Sequence, residues 1–252
     1  WKRVTGVQTC ALPISPTDGH ANPRLAAPAF GRAAARLGVH VDENTEVLSI
    51  EKQGEDFVVE AAGGKRFRAP VVLIATGAWA GAMCAAHGEP VNMVVRGPTL
   101  AVTEPVGYVI EPSIGVSTPV VEETVYLRQI PRGNIIVGGG NRGPAFPDAR
   151  RAYVEPENTL AQMGQFRRLV PAMARLRIIR VWSGIEGYMP DDIPVMGPSA
   201  RVPGLFYAFG FCGAGFQIGP GVGDVMAELI DTGATSTPID AFSISRFQSP
   251  AA

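Results

Sequence analysis

The sequence predicts a chain of the α/β (α+β) class, and three observations carry that prediction. Residues 71–75, VVLIA, are a continuous apolar run of the kind a parallel strand shows when both of its faces are covered. Residues 202–231 pass from a strand-like apolar segment through a glycine-dense loop into an amphipathic helical pattern. Between these regions Pro98, Pro105, Pro112, Pro119 and Pro131 punctuate short β-like runs, whose spacing suggests an antiparallel or mixed sheet.

Composition bounds the function before any motif is read. With 252 residues the chain has room for one large or two modest domains and a sizeable core. A formal net charge of −1 gives no electrostatic footprint for nucleic acid or an anionic membrane surface. No apolar run reaches the roughly 18 residues of a membrane span. Cys10, Cys84 and Cys212 are too scattered for a zinc site or a disulfide framework, so a reducing, cytoplasmic setting fits best. His20, His40 and His87 show no ligand spacing, and no metal is expected. Residues 1–15, WKRVTGVQTCALPIS, lack the apolar core of a signal peptide and resemble the conceptual translation of a sequencing-adapter oligonucleotide. They are set aside as an artefactual tail, together with Cys10.

The elements follow in order. Residues 24–37 trace an alanine-rich helix through Leu25, Pro28, Ala29, Ala33 and Leu37, ended by Gly38. Short strands are expected at 39–41 and 45–50, and residues 57–61 and 66–69 flank Gly63-Gly64 as a hairpin. The apolar run at 71–75 ends in Thr76-Gly77-Ala78-Trp79. Strands are expected at 99–103, 107–110, 125–129 and 134–137, the last followed by Gly138-Gly139-Gly140. Residues 157–169 form a helix with Leu160, Met163, Phe166 and Leu169 on one face, and a strand at 178–182 follows. Residues 205–211 read as a strand, and Gly210, Gly213, Gly215, Gly219, Gly221 and Gly223 as its loop. Val222, Val225, Met226, Leu229 and Ile230 then recur at helical spacing, with Gly233 as the C-cap.

Strand, glycine loop and helix have two readings on geometry alone. One is a ligand loop that aims backbone amides and a helix N-terminus at an electron-rich group. The other is a tight turn with close packing. Gly213-Ala214-Gly215 lacks the third glycine of a dinucleotide fingerprint, because Ile218 stands there.

Several motifs in register resemble the D-amino-acid-oxidase-like (DAO) family of FAD-dependent oxidoreductases. They are the DG-x-x-x-P loop from Asp18, the helix after it, the TEVLSI strand, the hairpin and the ATGAWA turn. The IEGYMPDDIPVMGP run adds Asp191, Pro194, Val195 and Gly197, and Gly213-Ala214-Gly215-Phe216-Gln217-Ile218 completes the set. The resemblance spans residues 18–230. It implies a truncated FAD-binding Rossmann-like domain, residues 16–93 and 179–252, interleaved with a mixed β-sheet substrate domain, residues 94–178. The βαβ unit for the ADP half of FAD is expected upstream, so residues 16–252 alone are expected to hold FAD poorly and to be inactive. FAD is expected to bind non-covalently, with Val47, Thr76, Gly77, Trp79, Gly213, Ala214, Gly215, Phe216 and Gln217 as its contacts. Arg128 and Arg142 are candidate grips for a substrate carboxylate, against the plainer reading of solvated surface arginines. Cys212 is read as a small packing residue.

Glu186 stands where many amino-acid-oxidising relatives carry an arginine for the substrate carboxylate. A carboxylate beside the flavin would repel a second carboxylate and favour a cation. The alternative is a buried glutamate bonded to backbone amides. The run around it resembles the catalytic subunits of opine oxidases and glycine-to-cyanide dehydrogenases, and Glu186 and Tyr188 are the candidate catalytic, substrate-side residues. The implied activity is oxidation of the C–N bond of an amino acid or secondary amine, of D-amino acid, glycine/sarcosine or opine type, by hydride transfer to flavin. The implied partners are that small molecule and the other subunits of a heteromeric dehydrogenase. A quinone acceptor would put the protein at the periphery of the inner membrane. The alternative reading is a non-catalytic flavin-fold subunit or an inactive fragment.

Overall fold

The computed structural model describes residues 19–247, so the tail set aside above lies outside the described residues. The chain divides into two compact units. A flanking unit joins Asn22–Val94 to the chain from Glu186 onward, and an inserted unit comprises Val95–Ile185.

The flanking unit opens with helix α1 (Pro23–Arg36), started by Asn22, whose side-chain oxygen accepts from the Arg24 amide at 3.0 Å. None of its residues is buried. Residues 39–41, expected as a strand, are irregular. Strands β1 (Val47–Gln53), β2 (Asp56–Ala61) and β3 (Lys65–Ala69) form an antiparallel meander. The β2–β3 turn falls on Gly63 and Gly64, both at positive φ, as the hairpin reading required. Strand β4 (Val72–Ile74) then leads through the turn Gly77–Trp79 into helix α2 (Ala80–Ala86).

The inserted unit is built on β5 (Val94–Thr103), β6 (Ile114–Val116), β7 (Val125–Gln129), β8 (Ile135–Phe146), β9 (Arg151–Ala152), helix α3 (Pro156–Leu169) and β10 (Ile178–Ser183). The strands lie in the order β10-β5-β8-β7-β6, with β9 beside β8, and each of these pairs is antiparallel. Ala101, Val125, Leu127, Ile135 and Val137 pack under Met163 and Phe166 of α3. Three expectations fail here for physical reasons. Leu160 is 72 % exposed, and Gln162 takes a buried place on the helix instead. Residues 107–110 form no strand, because the Gln129 side chain takes the Val109 and Ile110 amides and the Gly107 carbonyl that a ladder would have used. Gly138, Gly139 and Gly140 do not follow a strand but lie inside β8, where a Cβ on Gly138 would collide with the Tyr126 ring.

The chain returns to the flanking unit as β11 (Glu186–Tyr188), β12 (Val195–Pro198), β13 (Leu205–Phe209) and helix α4 (Gly215–Thr232). Strand β13 is central: it runs antiparallel to β12 and parallel to β4, with Leu205 opposite Val72 and Tyr207 opposite Ile74. Phe57, Ile74, Leu205, Tyr207 and Phe209 fill one layer of its core, while Met226 and Leu229 of α4 cover Met196 and Ala208. The run at 71–75 is therefore a parallel strand, but only one face of it is closed. Ile74 is 1 % exposed, whereas Leu73 is 39 % exposed and lines an apolar groove of about 400 Å³ with Ala75, Phe211, Val222 and Met226. Helix α4 begins at Gly215 rather than after Gly223, so Gly219, Gly221 and Gly223 are helical. Burial of the Met226 and Leu229 face outweighs the low helix propensity of glycine there. Gly233, at φ 80°, closes the helix as expected.

Candidate functional site

The parallel pairing of β4 and β13 sets two turns side by side. Each strand ends at its carboxyl end in a glycine-containing turn, and each turn feeds a helix: β4 runs through Thr76–Trp79 into α2, and β13 through residues 210–214 into α4. The crevice outside the carboxyl ends of parallel strands is where open α/β sheets bind their ligands.

The backbone of the second turn is unusual. Gly210, Cys212 and Gly213 all lie at positive φ, at 72°, 50° and 88°. A Cβ on Gly210 would come within 2.6 Å of the Met189 side chain, and one on Gly215 within 3.1 Å of Phe211. Cys212 tolerates its left-handed backbone because its thiol is held by the backbone around it. It donates to the Gly210 carbonyl at 3.1 Å and accepts from the Met189 amide at 3.3 Å. Burial raises this thiol above its ordinary range, which keeps it in the protonated, donating form.

The turn delivers an open helix N-terminus. Ala214 donates to Phe211 and Ile218 donates to Ala214, which leaves the amides of Gly215, Phe216 and Gln217 as first-turn donors without a backbone partner among the described residues. Among the described residues no side chain caps α4, and its first turn contains no acidic residue. Gly213 and Gln217 are exposed, as is Phe216. These groups attract an electron-rich or anionic ligand through converging amides and the helix dipole.

The first turn adds Gly77 at φ 55°, with nothing within 4 Å of where a Cβ would stand. Ala78 is buried and Trp79 is 43 % exposed. The Thr76 hydroxyl turns inward to the Met83 sulfur at 3.6 Å. Strand β11 is pressed onto this turn through Gly187: a Cβ there would stand 2.5 Å from the Met93 sulfur and 3.3 Å from the Ala78 Cα. Alternation along the strand then directs Glu186 and Tyr188 to the opposite face. The Tyr188 hydroxyl donates to Glu186 Oε2 at 2.5 Å, and that oxygen lies 3.6 Å from where a Cβ on Gly213 would be. The backbone-bonded alternative for Glu186 is not what is found, since its partner among the described residues is the phenol.

The other sequence candidates fall elsewhere. Val47 opens β1 and pairs with Ala61 in the meander, so it shares no sheet with the two turns. In the inserted unit, Arg142 directs one guanidinium nitrogen to the carbonyls of Gly139, Gly140 and Asn141, at 2.8, 2.7 and 3.2 Å. Arg128 differs: its Nε is buried and has no hydrogen-bond partner among the described residues. Asp191, one of the motif positions, is committed to structure. Arg246 reaches its Oδ2 at 2.8 Å and also donates to the Ile193 carbonyl at 2.6 Å, and the guanidinium holds the Asp191 carboxyl below the usual carboxylate range. Sequence reasoning missed Arg246 and the buried Glu89, because neither lies near a motif in the chain. Among the described residues no cluster of His, Cys, Asp and Glu can hold a metal, and no helix is long and apolar enough to cross a membrane.

Comparison with known proteins agrees with this geometry. The model of a family described as DAO, FAD dependent oxidoreductase, matches residues 9–229, starting inside the tail that the sequence reading set aside. Glycine oxidase of Geobacillus kaustophilus is 29 % identical over 237 residues, covering 92 % of this chain and 59 % of that protein. The hydrogen cyanide synthase subunit HcnC of Pseudomonas protegens is 27 % identical over 234 residues, covering 91 % and 53 %. Among solved structures, L-proline dehydrogenase from P. horikoshii superposes with a TM-score of 0.84 at 29 % identity, covering 92 % of this chain and 62 % of that one. The chain thus spans little more than half the length of these two relatives.

Proposed function

We propose a function from one premise: the chain belongs to the DAO family of FAD-dependent oxidoreductases. On our reading it oxidises the C–N bond of an amino acid or secondary amine, with FAD held non-covalently at the crest formed by the ends of β4 and β13. The observation that supports this most directly is the pair of glycine turns at the carboxyl ends of two parallel strands, with the uncapped start of α4 beside them. The residues fit a flavin. Three first-turn amides without a backbone partner among the described residues suit an electron-rich ring edge, and Gly77, with nothing within 4 Å of a Cβ, lets backbone come close to a phosphate.

Each group has a role in this reading. Gly213, Ala214, Gly215, Phe216 and Gln217 supply the amides, and Thr76, Gly77 and Trp79 form the second wall. Val47 is assigned to the adenine end through its backbone. Arg128 is assigned to a substrate carboxylate, because a buried guanidinium nitrogen without a partner gains most from an anionic ligand. Glu186 and Tyr188 belong to the substrate side. When bound, FAD supplies the chemistry of the step, uptake of a hydride from the carbon that bears the nitrogen. The protein aligns that carbon and excludes water. HcnC is named as a subunit, and that likeness supports a place for this chain as the catalytic member of a heteromeric, cytoplasmic dehydrogenase.

The test is spectroscopic. The full-length protein is purified, its flavin absorbance is recorded without oxygen, and glycine, sarcosine, D-amino acids and secondary-amine opines are added in turn. Bleaching by one class is the expected result. A yellow protein that none of them bleaches would mark a flavin-binding subunit without this activity, and a colourless protein would end the flavin assignment.

A further inference from the structure

Glu186 presents an unusual combination of restraint and availability. Its carboxylate is half-buried, and one oxygen is fixed by the Tyr188 hydroxyl at 2.5 Å. The second oxygen accepts nothing from any described residue, and no lysine, arginine or histidine among them pairs with the carboxylate. Position is fixed from two sides. Gly187 locks β11 against Ala78 and Met93, and the phenol two residues on holds the carboxylate beside Gly213. An uncompensated charge at a partly dry site is costly unless a ligand compensates it. A carboxylate with one oxygen clamped and one free is complementary to a cationic N–H donor.

We infer that Glu186 is a specificity residue that receives the cationic nitrogen of the substrate, an ammonium or guanidinium group, on its free oxygen, with Tyr188 as its positioning residue. The inference rests on the amine-oxidation reading above and narrows it: substrates that present a carboxylate to this side of the glycine turn are rejected. Because the selection acts on charge at one oxygen, it appears in binding before it appears in turnover.

The experiment uses two probes of similar size and opposite charge, n-butylammonium and butyrate, titrated calorimetrically into the full-length protein. In the wild-type protein n-butylammonium is expected to bind more tightly than butyrate. Glu186→Gln keeps the shape and an acceptor for the Tyr188 hydroxyl, so it tests charge rather than folding. It is expected to weaken n-butylammonium about tenfold and to leave butyrate unchanged or tighter. Tyr188→Phe, which frees the carboxylate to move, should give a smaller loss in the same direction, about threefold. In steady state the Glu186→Gln variant should raise KM for a cationic amine with little change in kcat. Equal affinity of n-butylammonium for the wild-type and Glu186→Gln proteins would overturn the inference, whatever the flavin does. Conversely, a protein that no amine bleaches but that binds n-butylammonium in a Glu186-dependent way would retain the cation site and lose the oxidase reading.

Discussion

Both units bury a polar side chain completely where loops meet, and they do it with opposite chemistry. In the inserted unit Gln129 accepts from the Val109 and Ile110 amides, both at 2.9 Å, and donates to the Gly107 and Gly133 carbonyls at 2.8 and 3.0 Å. A carboxamide has two acceptor sites and two N–H donors, and all four are used. In the flanking unit Glu89 accepts from the Ser199 hydroxyl, from the Ala200 amide at 2.8 Å and from the Tyr207 hydroxyl at 2.8 Å. The groups packed around this carboxylate are perturbed. Burial, with Glu89 adding to it, pushes the Cys84 thiol up to about 12 and the Tyr207 phenol well above its ordinary range. The carboxamide staple is self-contained; the carboxylate one depends on three donors, two from the loop after β12 and one from β13.

Substitution at the two staples sharpens that difference. Glu89→Ala leaves three donors without an acceptor and opens a cavity in the core of β13, so it should cost the most, about 4 kcal/mol by urea unfolding. Gln129→Glu sets a carboxylate against the Gly107 and Gly133 carbonyls and should cost about 3 kcal/mol. Glu89→Gln retains an acceptor and should cost about half as much as Glu89→Ala. If Glu89→Gln proved as harmful as Glu89→Ala, shape rather than acceptor count would explain the site, and the comparison would break.

The smallest effect is expected at Asp191 and Arg246, whose side chains are 34 % and 20 % exposed. Asp191→Asn should cost about 1 kcal/mol after screening by solvent. Because the folded-state pKa of Asp191 is lowered from 3.8, its contribution is present above pH 3.8 and is lost as pH falls through the lowered value. The wild-type and Asp191→Asn unfolding midpoints should therefore differ at pH 6 and converge in strong acid. A constant difference across that range would mean the ion pair is not the source.

Much of this was legible in the sequence where local pattern and tertiary demand agree. The 178–182 strand, the double-glycine hairpin and the Gly233 cap all form as read, because the turn glycines need positive φ and the strands are rich in β-branched and aromatic residues. Legibility failed where a side chain replaces a backbone ladder, as Gln129 does for residues 107–110. It failed again where glycines serve packing rather than turning, as in β8 beneath Tyr126, and where they sit inside a helix, as in the first turns of α4. The glycine turn and the Glu186–Tyr188 strand were found from motif spacing, but the clamp between phenol and carboxylate depends on Gly187 meeting Met93, a distance of 94 residues along the chain that no local pattern encodes. Arg128 and Arg142 looked alike as isolated cations; only the fold separates the one turned onto its own carbonyls from the one with a bare Nε.

The central claim is that the crest at the ends of β4 and β13 holds FAD through the amides around Gly213. The most direct measurement is an FAD titration of the full-length protein and of its Gly213→Val variant, followed by quenching of flavin fluorescence. Gly213 is exposed, and among the described residues a Cβ there would meet Glu186 alone, so the substitution strains the φ 88° backbone by about 2 kcal/mol and screens the amides while leaving the core intact. The account predicts a cooperatively folded variant whose FAD affinity falls at least about tenfold. An unchanged affinity in a folded Gly213→Val protein would contradict it.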